Sequence, residues 1–301
     1  MSSARRLVID IGTNSILALL SKVSENDIDI ILDKQKTVRL GEGLTETELL
    51  SAEAMERASK AIISFLDIDR YDDVLLLGTE ALRAASNADE FLELIHKRTG
   101  ERIIVISGEK EAYLTFRGAL FKMPFSGDNV IVIDVGGGSS EISVGSRGEF
   151  SHSISVAIGA SRLYEAVPDD NLESYSKKAE ELIMDRIGGF NPGEIRSLIA
   201  TGGTITSIAA IQAGLEKYDS TAIHGVDLGV EQIRSIASRF EGIDLEARKK
   251  VIASDPERAD LILPGAGIFL AILGILGKDR LTVSTGGLRF GAALSPEIAR
   301  N

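Results

Sequence analysis

Short apolar runs alternate with glycine-rich punctuation from the first residues onward. "RRLVIDIG" and "NSILALLSKV" predict two β-strands joined by a tight Gly-Thr turn, and "IDIILDKQKTVRLG" continues the β pattern. A helix is predicted over about 51–67, where Leu50, Ala54, Ala58, Ala61, Ile62 and Phe65 recur at helical spacing as one apolar stripe. "DVLLLGT" predicts a buried strand, residues 87–98 a helix and "RIIVIS" another strand. Strands alternating with helices in this way predict an α/β domain.

The order then restarts. "NVIVIDVGGG", "SSEISVGSRG" and "EFSHSISVAIG" predict a three-stranded meander, followed by a long helix near 171–187, the strand "IRSLIA", the turn "TGG" and several more helices. "RLTVSTGG" closes the pattern with a last strand and turn. "LILPGAGIFLAILGILG" holds a proline and four glycines and lacks the ~18 uninterrupted apolar residues of a membrane span, so it predicts a buried helix. Each half opens with a strand, an Asp-x-Gly turn and a second strand. The boundary is placed near residue 120, at "FKMPFSGDN", giving domains over 1–120 and 121–287.

Composition narrows the functional classes. The 301 residues carry 33 basic and 45 acidic side chains, a net charge of −12, which argues against a general nucleic-acid binder. An anionic ligand is still compatible, because salt screens exposed charges beyond ~8–10 Å and a local pocket can dominate. There are no cysteines, so disulfides and thiolate chemistry are excluded, consistent with a cytoplasmic protein. His96, His152 and His224 show no metal-ligand spacing. The basic N-terminus has too short an apolar part for a signal peptide. No membrane association is expected, and a two-fold homodimer is the prior for the oligomeric state.

The chemistry gathers at the turns. In "VIDVGGGSSE" the glycines allow close backbone approach, and the amides of Gly136, Gly137, Gly138 and Ser139 can form an anion-binding nest. Asp134 and Glu141 would repel a phosphate held there unless a cation stood between them. A hard cation, Mg²⁺ or another divalent ion such as Mn²⁺, resolves that conflict. "VIDIGTNS", with Asp10 and Thr13 as further candidates, repeats the opening, and "ATGGT" supplies a third glycine turn. Glu109 and Glu111 open a helix, where the dipole alone favours acids; a buried glutamate there could instead take a proton from water, and spacing does not choose. Arg83 suits either an ion pair or a phosphate clamp. Ser139, Ser140 and Thr204 have no base visibly positioned beside them, which favours ligand or turn roles over nucleophilic ones.

Taken together, "IDIGTNS", "VRLGEGL", "TEALRAASN", "ISGEKEAYL", "VIDVGGGSSE", "ATGGT", "RADLILPGAGI" and "STGGLRFGA", in that order across nearly all of the chain, resemble the exopolyphosphatase and guanosine pentaphosphate phosphohydrolase family. That family belongs to the actin-like ATPase superfamily, so the resemblance implies two RNase H-like α/β domains with a phosphate-binding cleft between them. It implies Glu111 as catalytic base and Asp134 and Glu141 as metal ligands. Asn14, Ser15, Arg83, Gly136, Gly137, Gly138, Ser139, Gly203 and Thr204 would bind phosphate. A last helix, about 288–301, is expected to pack back on the first domain. Where relatives often carry an arginine two places after the first-motif serine, this chain has Leu17. Longer relatives add a helical C-terminal region that this sequence does not include, so a preference for short polyphosphates is expected.

The resulting expectation is a Mg²⁺-dependent exopolyphosphatase that releases orthophosphate from polyphosphate, with water activated by Glu111. The alternative is a guanosine pentaphosphate 5'-phosphohydrolase. The rivals are a sugar or acid kinase of the same superfamily, against which "ISGEKEAYL" argues, and a non-catalytic nucleotide-binding actin-like or sensor protein.

Overall fold

The computed structural model describes residues 4–24, 27–123, 129–146, 149–187 and 195–297. The chain divides into two compact units, Met1–Gly118 with Leu288–Asn301, and Ala119–Gly287. Residues 124–128 of the "FKMPFSGDN" stretch and residues 298–301 of the last helical segment lie outside the described residues.

The first unit contains strands β1 (Ala4–Ile11), β2 (Ser15–Val23), β3 (Ile28–Thr37), β4 (Asp73–Gly78) and β5 (Ile103–Val105). They form one sheet in the order β3-β2-β1-β4-β5. β1 is antiparallel to β2 and parallel to β4. Leu7, Val8 and Ile9 of β1 are all buried, as a central strand covered on both faces requires. The helix Ala52–Leu66 is capped by Ser51, whose side chain accepts from the Ala54 amide. Leu50, expected at the head of the helical stripe, precedes this cap; it is buried all the same, and its amide donates to Asn87 Oδ1. The helix Leu288–Leu294 packs on β1 and β2. Its Gly291 lies so close to the Leu114 backbone that no side chain would fit.

The second unit contains β6 (Val130–Val135), β7 (Ser140–Gly145), β8 (Phe150–Val156), β9 (Ser197–Thr201), β10 (Asp227–Gly229) and β11 (Arg280–Val283). Their order is β10-β11-β9-β6-β7-β8. From β8 inward this repeats the first unit's order strand for strand, with β10 added antiparallel to β11. The two units are thus duplicated RNase H-like folds. No apolar run marks β10, since its single buried residue, Leu228, stands between an aspartate and a glycine. The helix Ile262–Ile275 is buried from Ile262 through Leu273, as the apolar run predicts. Its Gly267 presses on Tyr175 and Ser176 of the helix Leu172–Ile187. No described helix is long and apolar enough to cross a membrane.

Candidate active site

The two Asp-x-Gly turns have the same local geometry. Gly12 N–H donates to the Ser15 carbonyl at 3.1 Å, and Gly136 N–H to the Ser139 carbonyl at 3.0 Å. Asp10 and Asp134 occupy the C-terminal ends of the central strands β1 and β6, where open α/β sheets place ligands. In the first turn the Thr13 carbonyl accepts from Gly41, and the Asn14 carbonyl from Val38 and Arg39. In the second, the Gly136 carbonyl accepts from Ala160, and the Gly137 carbonyl from Ser161 and Arg162, at the start of the helix Ala160–Ala166. Because a trans peptide sets N–H opposite C=O, these bonds turn the Asn14, Gly137 and Gly138 amides the other way. Gly159 backs onto Gly137 and Gly138 with no room for a side chain. Asn14 and Ser15 are buried and bonded to each other, Asn14 Nδ2 donating to Ser15 Oγ at 3.2 Å.

In the first unit a polar chain runs on from this turn. Thr13 Oγ1 donates to Glu80 Oε2 at 3.1 Å. Arg83, on the short helix Glu80–Ala84, donates through Nη1 to Glu111 Oε2 at 2.7 Å and to the Ile106 carbonyl at 2.9 Å. Nε and Nη2 of Arg83 make no hydrogen bond among the described residues, which leaves the outer edge of the guanidinium for an anion. Of the two glutamates opening the helix Gly108–Ala119, Glu109 is exposed and Glu111 turns inward, its side chain 13% exposed. Burial pushes the Glu111 carboxyl above the ordinary glutamate range; the Arg83 guanidinium opposes this, and the Glu80 carboxylate adds to it.

In the second unit Asp134 and Glu141 stand directly opposite each other on the antiparallel strands β6 and β7, so their side chains share one face of the sheet. Glu141 is buried and accepts from Ser155 Oγ at Oε1, 2.8 Å. Gly202, at φ +103°, brings the third turn against this pair: a Cβ there would lie 2.5 Å from the Val135 carbonyl and 3.1 Å from Asp134 Oδ1. Gly203 and Thr204 begin the following helix, Gly203–Gln212. The Arg258 guanidinium, held by Asp255 at 2.8 Å, occupies the space a Gly203 side chain would take. Gly265 is likewise packed against the Thr204 side chain. Ser140 Oγ donates to the Ile158 carbonyl, a turn-forming role.

The donor set suits a hard divalent cation. Like charges directly opposite on neighbouring strands are unfavourable unless something compensates them. Among the described residues no group of three or more His, Cys, Asp or Glu could hold a metal. Two carboxylates beside an amide-rich glycine turn match the partial protein shell of Mg²⁺ better than a closed zinc or calcium cage.

A model of the Ppx/GppA phosphatase family matches residues 19–298. The chain belongs to this family. Ppx/GppA phosphatases hydrolyse phosphoanhydride bonds. Exopolyphosphatase 2 of Mycobacterium tuberculosis is 29% identical, the match covering 98% of this chain and 99% of that protein. The bifunctional 3-dehydroquinate synthase/phosphatase of Fusobacterium nucleatum is 32% identical over 96% of this chain but only 46% of its own length. A crystal structure of the Aquifex aeolicus Ppx/GppA family member superposes with a TM-score of 0.80 at 31% identity, covering 99% of each chain.

The site residues expected from the sequence divide between the two units. Asp10, Thr13, Asn14, Ser15, Arg83 and Glu111 lie in the first unit, and Asp134, Gly136–Ser139, Glu141, Gly203 and Thr204 in the second. Glu80 and Arg258 were not singled out, although "TEALRAASN" and "RADLILPGAGI" contain them. A lone charge in a motif looks like a solvated one until the fold sets Glu80 near Glu111 and Arg258 against Gly203.

Proposed function

We propose that this chain is an exopolyphosphatase, hydrolysing the terminal phosphoanhydride of inorganic polyphosphate to release orthophosphate. The observation that carries this reading is the facing pair Asp134 and Glu141 beside an amide-rich turn, two acceptors that would suit a phosphate-bound cation. The end-to-end likeness to a protein named exopolyphosphatase favours polyphosphate over a guanosine substrate. A relative named guanosine-5'-triphosphate,3'-diphosphate pyrophosphatase, from Vibrio campbellii, is 28% identical and keeps guanosine pentaphosphate as the second reading.

In this reading the turn amides, the outer edge of Arg83 and the Arg258 guanidinium take phosphate oxygens. Asp134 and Glu141 would hold Mg²⁺ or Mn²⁺, which when bound supplies positive charge to the phosphoryl oxygens. Glu111 orients a water and accepts its proton as the water oxygen bonds to the terminal phosphorus. The bridging P–O bond breaks with its electron pair staying on the shortened chain, and Glu111 then returns the proton to solvent. Arg83 fixes the Glu111 carboxylate in place. The catalysis is mostly positioning and charge stabilisation.

The test is orthophosphate release from short polyphosphate, long polyphosphate and guanosine pentaphosphate, with Mg²⁺ or with chelator, for wild type and Glu111→Gln. Metal-dependent release from polyphosphate that the substitution abolishes supports the proposal. Release from guanosine pentaphosphate alone moves the assignment to the second reading. A folded protein that binds nucleotide and releases phosphate from none of the three is a sensor instead.

A further inference from the structure

We infer that Ser155 is a positioning residue for Glu141, holding its carboxylate in the orientation in which the Asp134–Glu141 pair takes a divalent cation. The inference rests on the cation reading proposed above. Its basis is a polar row crossing the sheet of the second unit. Thr201 is paired with Asp134, Asp134 with Glu141 and Glu141 with Ser155, so four neighbouring strands place these side chains on one face. Ser155 Oγ donates to Glu141 Oε1 at 2.8 Å. At the other end of the row, Thr201 Oγ1 donates to the Gly286 carbonyl at 2.6 Å, so both flanks of the acidic pair end on a hydroxyl.

The duplicated first unit gives an internal comparison. There the matching row is Leu77, Asp10, Leu17 and Gln35. Leu17 takes the place of Glu141, and neither hydroxyl recurs. The hydroxyls accompany the second carboxylate. A hydroxyl that donates to a carboxylate oxygen fixes its rotation, and partners of this kind around a metal ligand commonly change metal affinity 10- to 100-fold. Ser155 is itself exposed on the edge strand β8, where shortening a side chain rarely disturbs folding.

The experiment measures Mn²⁺ binding to the full chain by electron paramagnetic resonance, with thermal midpoints recorded in parallel, for wild type, Glu141→Gln, Ser155→Ala and Ser155→Thr. Glu141→Gln should remove most binding, Ser155→Ala should weaken it about 10-fold at an unchanged midpoint, and Ser155→Thr should restore it to within about two-fold. If Ser155→Ala binds Mn²⁺ as wild type does while Glu141→Gln does not, the role given to Ser155 is wrong and the cation reading stands. If wild type binds no Mn²⁺, or Glu141→Gln binds it unchanged, the cation reading fails and this inference with it. A loss in Ser155→Ala that comes with a lowered midpoint and is not restored by threonine makes the role structural and overturns the positioning assignment.

Discussion

Arg83 Nη1 lies 2.7 Å from Glu111 Oε2, and the same nitrogen also holds the Ile106 carbonyl. The pair ties the candidate base to the candidate phosphate clamp. Each group reports on the other: an anion drawing Arg83 outward would loosen its hold on Glu111. Burial raises the Glu111 carboxyl despite this cation, so the carboxylate binds a proton more firmly than a surface glutamate does.

Replacing Glu111 by glutamine keeps the shape and leaves an oxygen for Arg83. Phosphate release should fall about 10²- to 10⁴-fold, the range for loss of a general base. The stability effect has a definite sign. A raised carboxyl contributes stability that is fully present below the ordinary glutamate range and lost as pH rises through the folded-state value. Glutamine does not titrate, so the thermal midpoint of Glu111→Gln relative to wild type should rise as pH is raised through the carboxyl's folded-state range. A midpoint difference that falls with rising pH would mean that the ion pair with Arg83 outweighs the desolvation.

Glu80 raises the Glu111 carboxyl through its negative charge. Glu80→Gln should therefore shift the acid limb of kcat/KM toward lower pH, since Glu111 would then ionise more easily. Arg83→Met should shift the same limb upward. pH–rate profiles of the two variants, measured with one substrate, check both directions; a common shift in the same direction would detach the limb from Glu111.

The strands that carry this chemistry could be read directly. "VIDIG" and "VIDVG" are apolar runs ending in an acid and a glycine, and a strand buried on both faces permits little else. The pairing of Asp134 with Glu141 follows once the turn between them is seen to be tight, because a hairpin register sets opposite residues from loop length. Other relationships depend on distant pieces of chain. Arg258 reaches Gly203 across 55 positions of sequence, and Ser155 meets Glu141 only through the register of β8. Nothing local marks either residue, since a lone arginine or an exposed strand serine is ordinary on any surface. Leu17 gains meaning only when the duplicated sheets are compared and it falls in the place of Glu141.

Gly202 and Gly214 separate backbone strain from steric exclusion. Both have positive φ, +103° and +68°, but a Cβ on Gly214 would meet nothing within 4 Å, whereas one on Gly202 would meet the Val135 carbonyl at 2.5 Å. Gly202 also has ψ 162°, a region essentially reserved for glycine. Gly214→Ala should cost about 1 kcal/mol in urea unfolding, the usual left-handed penalty. Gly202→Ala should cost about 3 kcal/mol and lose phosphate release, because the turn must move away from Asp134. Equal costs at the two sites would show that the Gly202 turn yields without distorting the acidic pair.

Arg289 grips Asp33 with two parallel bonds, Nε to Oδ1 and Nη2 to Oδ2, each 2.8 Å, with the side chains 10% and 15% exposed. The helix that carries it, Leu288–Leu294, has seven residues, too few to be helical alone, so tertiary anchors must hold it. Arg117 bonded to Ser295 and Arg6 bonded to the Ala293 carbonyl are two more such anchors. Breaking a largely buried pair strands the remaining charge, so Arg289→Met should destabilise the first unit by about 3 kcal/mol. Arg289→Lys keeps the charge but loses the fork, and should recover only part of this. The double variant Arg289→Met with Asp33→Leu should be more stable than Arg289→Met alone, since no unpaired carboxylate is then left inside. Urea unfolding of the three variants, with amide exchange read on the Leu288–Leu294 helix, tests the assignment. If exchange there is unchanged in Arg289→Met, the Gly291 contact with the Leu114 backbone holds the helix and the ion pair does not.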